Sequence, residues 1–181
     1  MAIKIEKKEI SDKAPVFIIA EAGVNHNGDI NLAKKLIDVA VTSGADAVKF
    51  QTFTAELIVT ETAEQAAYQS RNIGKTETQY KMLKRLELSE QDHYVLRDYC
   101  EEKNIIFLST PFSEKDADFL ETVGVPAYKT SSGEITNLPF LEHIAKKGKP
   151  IILASGMSSL EELRAAALVI KKAGNRDLVI L

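Results

Sequence analysis

Six apolar runs recur along the chain, and the first five turn polar at the same, C-terminal end. They are Val16–Ala20, Ala47–Gln51, Ile105–Ser109, Ala127–Ser131, Pro150–Ala154 and Leu178–Leu181. The intervals between them read as helices. Asp29 heads the first, where Leu32, Leu36, Val39 and Ala40 fall on one 3.6-period face. Ser89 with Asp92, Ser113 with Asp116 and Ser159 with Glu162 place a carboxylate three residues after a hydroxyl, a helix-start pattern. Asn137 does the same work before Leu138 and Pro139. Gly44, Asn104, Gly124, Gly148 and Gly174 stand at the helix ends, where a left-handed residue closes the last turn.

Strands alternating with helices over short links imply a parallel sheet. The polar residues gather at one end of it: Glu21, Lys49 with Gln51, Ser109 with Thr110, Lys129 to Ser132, and Ser155. That end carries the chemistry in a (β/α)8 TIM barrel. A doubly wound sheet is the rival, but no G-x-G-x-x-G follows the first run. A complete barrel takes about 250 residues. The expectation is therefore an α/β chain, a TIM barrel truncated after about its sixth strand, with residues 1–181 forming the N-terminal part of the catalytic domain. One interval is irregular. Between Gln51 and Ser89 lies a long excursion, with short helices expected near Ala63–Gln69 and Thr78–Leu86. An excursion of that length after a barrel strand reads as a lid or substrate loop.

Composition excludes several classes. A net charge of -3 over 181 residues offers no footprint for nucleic acid or an anionic membrane. No run reaches transmembrane length, and MAIKIEKKEI has no apolar signal core. The lone Cys100 excludes an internal disulfide and reads as a structural thiol on a helix. A soluble cytoplasmic protein is expected.

Lys49 and Gln51 share one strand face, with Phe50 turned to the other; Lys129 and Ser131 share a face likewise, and Ser132 follows. Two lysines at a barrel mouth call for an anion. They suit a phosphorylated or carboxylated ligand cradled with hydroxyls and loop N–H groups. Two other readings stay open: a Schiff-base lysine, or a lysine paired with Glu21 or Glu134. Those carboxylates could work as acid, base or water-orienting groups, although Glu134 also suits a helix cap. His26, His93 and His143 lack metal-ligand spacing. His93 and His143 are expected on the surface, and His26 in a structural role in the first loop.

Five ordered motifs, EAGVNHNGD, AVKFQTF, FLSTPF, YKTSSGEITNLP and ILASGM, resemble the sialic acid synthase family, the phosphoenolpyruvate-dependent nonulosonate synthases. The resemblance runs from about Phe17 to the last residue. It implies a TIM barrel followed by a small antifreeze-like domain. It implies condensation of phosphoenolpyruvate with N-acetylmannosamine or a related 2-acetamido sugar, with release of phosphate. It also implies a divalent metal, typically Mn2+, and a domain-swapped homodimer. Matched motif by motif, Lys49, Lys129, Ser132 and Ser155 would hold phosphoenolpyruvate; Gln51, Asn72 and Phe112 would meet the sugar; Glu21 and Glu134 would flank the reacting carbons. Some members carry a serine at the position of Ala154. The family's metal-binding histidines belong to later strands, so no metal ligand is expected within this chain, and the piece by itself is expected to be inactive. A Schiff-base aldolase and a non-catalytic sugar-phosphate-binding module remain the alternatives. N-acetylmannosamine and a 2,4-diacetamido trideoxy sugar are both open as substrates.

Overall fold

Apolar residues at alternate positions on two faces need cover on both, and the helices supply it on one. The computed structural model describes residues 2–66, 71, 74 and 77–181. Its elements are β1 (Ile3–Ile5), β2 (Lys8–Ile10), β3 (Ile19–Gly23), α1 (Ile30–Thr42), β4 (Ala47–Thr52), α2 (Ala55–Ile58), α3 (Gln79–Lys84), α4 (Glu90–Glu102), β5 (Ile106–Pro111), α5 (Glu114–Val123), β6 (Tyr128–Thr130), a 3-10 turn (Ser132–Glu134), α6 (Leu138–Lys146), β7 (Ile151–Leu153), α7 (Leu160–Lys172) and β8 (Leu178–Ile180). Strands β3, β4 and β5 form one parallel set and β6, β7 and β8 another, with β5 and β6 as neighbours. This is the expected barrel architecture, α/β with parallel strands and an unclosed sheet. Among the described residues no helix is long and apolar enough to cross a membrane.

The two faces bury different sets. Val48, Phe50, Phe107, Tyr128 and Ile151 point outward and pack with the helices. Ala47, Ile106, Leu108 and Ile152 point inward, where Ile5 joins them. Ile5 is fully buried, so the β1–β2 hairpin plugs the inner face at the N-terminal ends of the strands. Asp46 anchors it: its carboxylate accepts from Lys8 Nζ (2.6 Å) and the Ile18 N–H (2.8 Å). This hairpin is not among the six runs read from the sequence; its only local signal is the alternation of Ile3 and Ile5, then Ile10 after a turn in which Glu6 takes φ 51°.

Helix starts follow the expected chemistry. Ser89 and Ser159 form reciprocal capping boxes with Asp92 and Glu162, and Asn137 caps α6. Two expectations are corrected. The first strand runs Ile19–Gly23 rather than Val16–Ala20. Pairing begins only where β4 supplies a partner, at Ile19 opposite Ala47, which leaves Val16 82% exposed. In the excursion the helix expected near Thr78–Leu86 is found as Gln79–Lys84, capped by Thr78, but Ala63 to Ala66 are not helical: Glu64 bridges Thr78 antiparallel. The rest of the expected Ala63–Gln69 helix lies outside the described residues.

Candidate functional site

Strand register assembles the site. Glu21 lies opposite Lys49, and Lys49 opposite Leu108; Gln51 lies opposite Thr110. Side chains of one parity enter the inner face, so Glu21, Lys49, Gln51 and Thr110 share it. Lys49 is buried and its ammonium donates to Glu21 Oε1 (3.0 Å) and Thr110 Oγ1 (2.9 Å), with Glu21 Oε2 at 2.8 Å. The ion-paired reading of Lys49 is thus the observed one, with a half-exposed Glu21 reaching inward from the mouth.

Lys129 enters from β6. It donates to the Thr130 carbonyl (2.9 Å) and has no carboxylate at ion-pair distance among the described residues. Burial, and then the neighbouring charge of Lys49, pull its ammonium down to about 8, against an upward pull from Glu21. Three charges from three strands therefore interact over one mouth, and two of the three are cations.

The remaining expected residues fall around that centre. The Glu134 carboxylate, at the end of the 3-10 turn, accepts from Asn137 Nδ2 (2.9 Å), and it is Asn137 that caps α6. Ser132 begins the same turn, and the Ser131 hydroxyl accepts from the Gly133 N–H (3.3 Å). Ser155 follows β7, where both its N–H and its hydroxyl donate to the Leu181 carbonyl. Phe112 follows β5 and meets Phe53 edge to face, centroids 6.1 Å apart. Asn72 lies outside the described residues.

A cavity of about 440 Å³ opens beside this mouth, with Gln51, Phe112 and Glu134 on its wall. The excursion roofs it. Its two ends are clamped where Glu87 accepts from the Ala55 N–H (2.6 Å) and Lys84 pairs with Glu56 and Glu87 (2.8 and 3.0 Å). A larger cleft of about 660 Å³ lies at the opposite end of the strands, beside the hairpin. There Lys8 is paired with Asp46, Arg97 is bonded to Asp98 and the Val123 carbonyl, and the cleft lies away from the polar ends of the strands, so size does not make it the site.

The histidines support the mouth from behind. His93 is 2% exposed, not a surface residue as the sequence suggested. Its helical neighbours are polar, but Thr52 and Ser109 beneath it are polar too and receive it. Nδ1 donates to the Ser89 carbonyl (2.8 Å), so Nε2 accepts from the Thr52 hydroxyl (2.9 Å), which accepts from Ser109 (2.6 Å). His26 is buried in the first loop, with Nδ1 accepting from the Gly28 N–H (3.0 Å), the structural role expected of it. Burial lowers the pKa of both rings. His143 is half-buried and bonds Asp118 (2.6 Å). Burial pushes the Cys100 thiol up to about 12, which leaves it unreactive. No group of three or more His, Cys, Asp or Glu among the described residues is arranged to hold a metal ion.

Comparison with known proteins identifies the family and the fold. The family model described as NeuB family matches residues 36–181. N,N'-diacetyllegionaminic acid synthase of Legionella pneumophila is 54% identical over 155 residues, covering 86% of this chain and 44% of that protein. The human N-acetylneuraminate-9-phosphate synthase is 37% identical over 163 residues, 90% of this chain and 45% of that protein. The crystal structure of N-acetylneuraminic acid (sialic acid) synthetase from Leptospira borgpetersenii, in complex with citrate, superposes with a TM-score of 0.84 at 31% identity, over 99% of this chain and 58% of that one. The chain spans about half the length of the curated relatives it matches.

Proposed function

Because the chain belongs to the NeuB family, we propose that the protein carrying it condenses phosphoenolpyruvate with N-acetylmannosamine or a related 2-acetamido sugar, giving a sialic-acid-type nonulosonate and phosphate. The observation that carries the proposal is the pair of lysines at one mouth, with a single carboxylate between two ammonium groups. A site with an unbalanced cation and partly desolvated walls favours a multiply charged anion.

In this reading Lys129 and Lys49 hold the phosphate and carboxylate, aided by Ser132 and Ser155. The phosphoenolpyruvate C3 attacks the sugar aldehyde carbon. Cationic charge develops at C2, where Glu21 and Glu134 stabilise it; water adds there, and the tetrahedral intermediate expels phosphate. Gln51, Asn72 and Phe112 orient the sugar. The divalent metal that the resemblance implies, Mn2+, finds no ligand set among the described residues, and no step is assigned to it. The proposal extends to a cytoplasmic, domain-swapped homodimer.

One observation favours a second reading. An ammonium lowered to about 8 is also what a Schiff-base lysine needs, so Lys129 fits a class I aldolase. The test is phosphate release by the intact protein from phosphoenolpyruvate, with and without an acetamido sugar. Sugar-dependent release is expected. No release, together with a borohydride-trapped pyruvyl adduct on Lys129, would move the assignment to the aldolase.

A further inference from the structure

The two carboxylates expected at the mouth are held by different partners. Glu21 is ion-paired with Lys49, 2.8 Å away, so a cation already answers it. Glu134 has no cation at ion-pair distance among the described residues. The one group there that binds its carboxylate is the side-chain amide of Asn137, 2.9 Å away. A neutral amide fixes a carboxylate in place and leaves it its charge. Glu134 is therefore the carboxylate whose charge stays available to a cation arising in the cavity that it lines with Asn137.

The chain between β6 and α6 is built to hold that bond. The Glu134 N–H donates to the Ser131 carbonyl (3.1 Å), and Ile135, 3% exposed, roots the turn in the core. The Asn137 N–H donates to the Glu134 carbonyl (3.0 Å), so Asn137 grips Glu134 by backbone and by side chain. On its other side Asn137 is locked to α6. Its Oδ1 accepts from the Phe140 N–H (3.4 Å) and its carbonyl from the Leu141 N–H (3.1 Å), and Phe140 and Leu141 are buried. The amide has one orientation open to it, because an N–H needs its oxygen end and a carboxylate needs its NH2 end. Asp29, Thr78, Ser89, Ser113 and Ser159 cap their helices with a carboxylate or a hydroxyl. Capping alone uses only half of an amide, and at Asn137 the other half holds Glu134.

We infer that Asn137 is a positioning residue: as the N-cap of α6 it aims the Glu134 carboxylate at the reacting carbons. The inference rests on the synthase reading, which puts Glu134 beside the cationic charge at C2. A contact that matters when that charge develops acts on the transition state more than on bound substrate. Its loss lowers kcat and leaves KM nearly unchanged.

Two substitutions separate aiming from capping. Aspartate caps a helix as well as asparagine does, and glycine nearly as well, yet neither side chain can donate to a carboxylate. Both variants of the intact protein should unfold close to the denaturant midpoint of the unsubstituted one. Phosphate release from phosphoenolpyruvate with an acetamido sugar is then measured against pH. Asn137→Gly should lower kcat about tenfold, the low end for a hydrogen bond to a charged group, because the pair is open to solvent. Both KM values should stay within about twofold, and the acid limb of the kcat profile should not move. Asn137→Asp should lower kcat further and carry the acid limb upward by about one pH unit, because two carboxylates in contact do not readily both ionise. The other charges of the mouth, Glu21 on β3, Lys49 on β4 and Lys129 on β6, are common to all three proteins. An unchanged kcat in Asn137→Gly, or an unmoved acid limb in Asn137→Asp, would overturn the inference and leave the synthase reading standing. So would a fall in kcat matched by a loss of stability, since the cap alone would then explain it. No sugar-dependent release by the unsubstituted protein would overturn both.

Discussion

Lys129 and Lys49 are the same residue type on neighbouring positions of one mouth, yet their surroundings give them different work. Lys49 is held by Glu21 and Thr110, so part of its charge is already answered. Lys129 is bonded to a carbonyl and faces a cation, so its charge is the one an anion would relieve. Lys129→Met keeps the apolar stem and removes the charge. In the intact protein it is expected to raise the phosphoenolpyruvate KM far more than the sugar KM, a loss of about 2–5 kcal/mol. The pH profile gives a second check. Lys129 is a cation below about 8 and neutral above it. Anion capture needs the cation, so kcat/KM for phosphoenolpyruvate should be full below that pH and fall as pH rises through it. The fall should vanish in Lys129→Met. A profile unchanged by the substitution would remove Lys129 from the anion site.

At the scale of elements, the roof of the cavity depends on one close approach between loops. Gly28, in the turn after β3, takes φ +77°, and a Cβ there would lie 2.4 Å from the Arg85 carbonyl oxygen, just beyond α3. The first loop and the excursion therefore touch through a residue with no side chain. Gly44 takes a similar φ of +76° with nothing within 4 Å of a built Cβ. The two separate backbone strain from contact. Gly44→Ala should cost only the strain of a left-handed residue, about 1–2 kcal/mol. Gly28→Ala should cost more, because the excursion must also move, and it should raise the sugar KM. Denaturant unfolding of the two variants of the intact protein, with sugar kinetics, measures both. Equal stability losses would show that the loops do not meet at Gly28.

For the whole molecule, the sheet has two outer edges. β3 pairs with β4 on one side and β8 with β7 on one side. Ile18 is 52% exposed beside β3, and Ile180 46% exposed on β8. Unpaired apolar edges invite pairing with another chain. The 181-residue polypeptide taken alone is therefore expected to self-associate with rising concentration and to show no synthase activity. Light scattering against concentration measures this, and Ile18→Lys with Ile180→Lys should reduce it. A monodisperse, active 181-residue polypeptide would refute the expectation.

The parts of this structure legible in the sequence are those set within a few residues. Period, capping boxes and left-handed helix ends act over three or four positions, so the βα order, the Ser89 and Ser159 caps and the turns at Asn104 and Gly124 could be read directly. The polar mouth was legible because strand parity alone puts Lys49 and Gln51 on one face. Register across the chain decided the rest. Lys49 finds Glu21 across 28 residues and Thr110 across 61; Thr52 finds His93 across 41. No local pattern states those pairings, which is why the sequence alone puts His93 on the surface and starts the first strand three residues before Ile19. Ile5 closes the inner face by packing on Ala47, Ile106, Leu108 and Ile152, segments far from it in sequence, and Asp46 ties the hairpin there through Lys8. Local sequence chose the elements and the end at which the chemistry gathers. Tertiary packing chose which lysine is answered by a carboxylate and which is left for an anion, because that choice depends on distances between strands that no single segment contains.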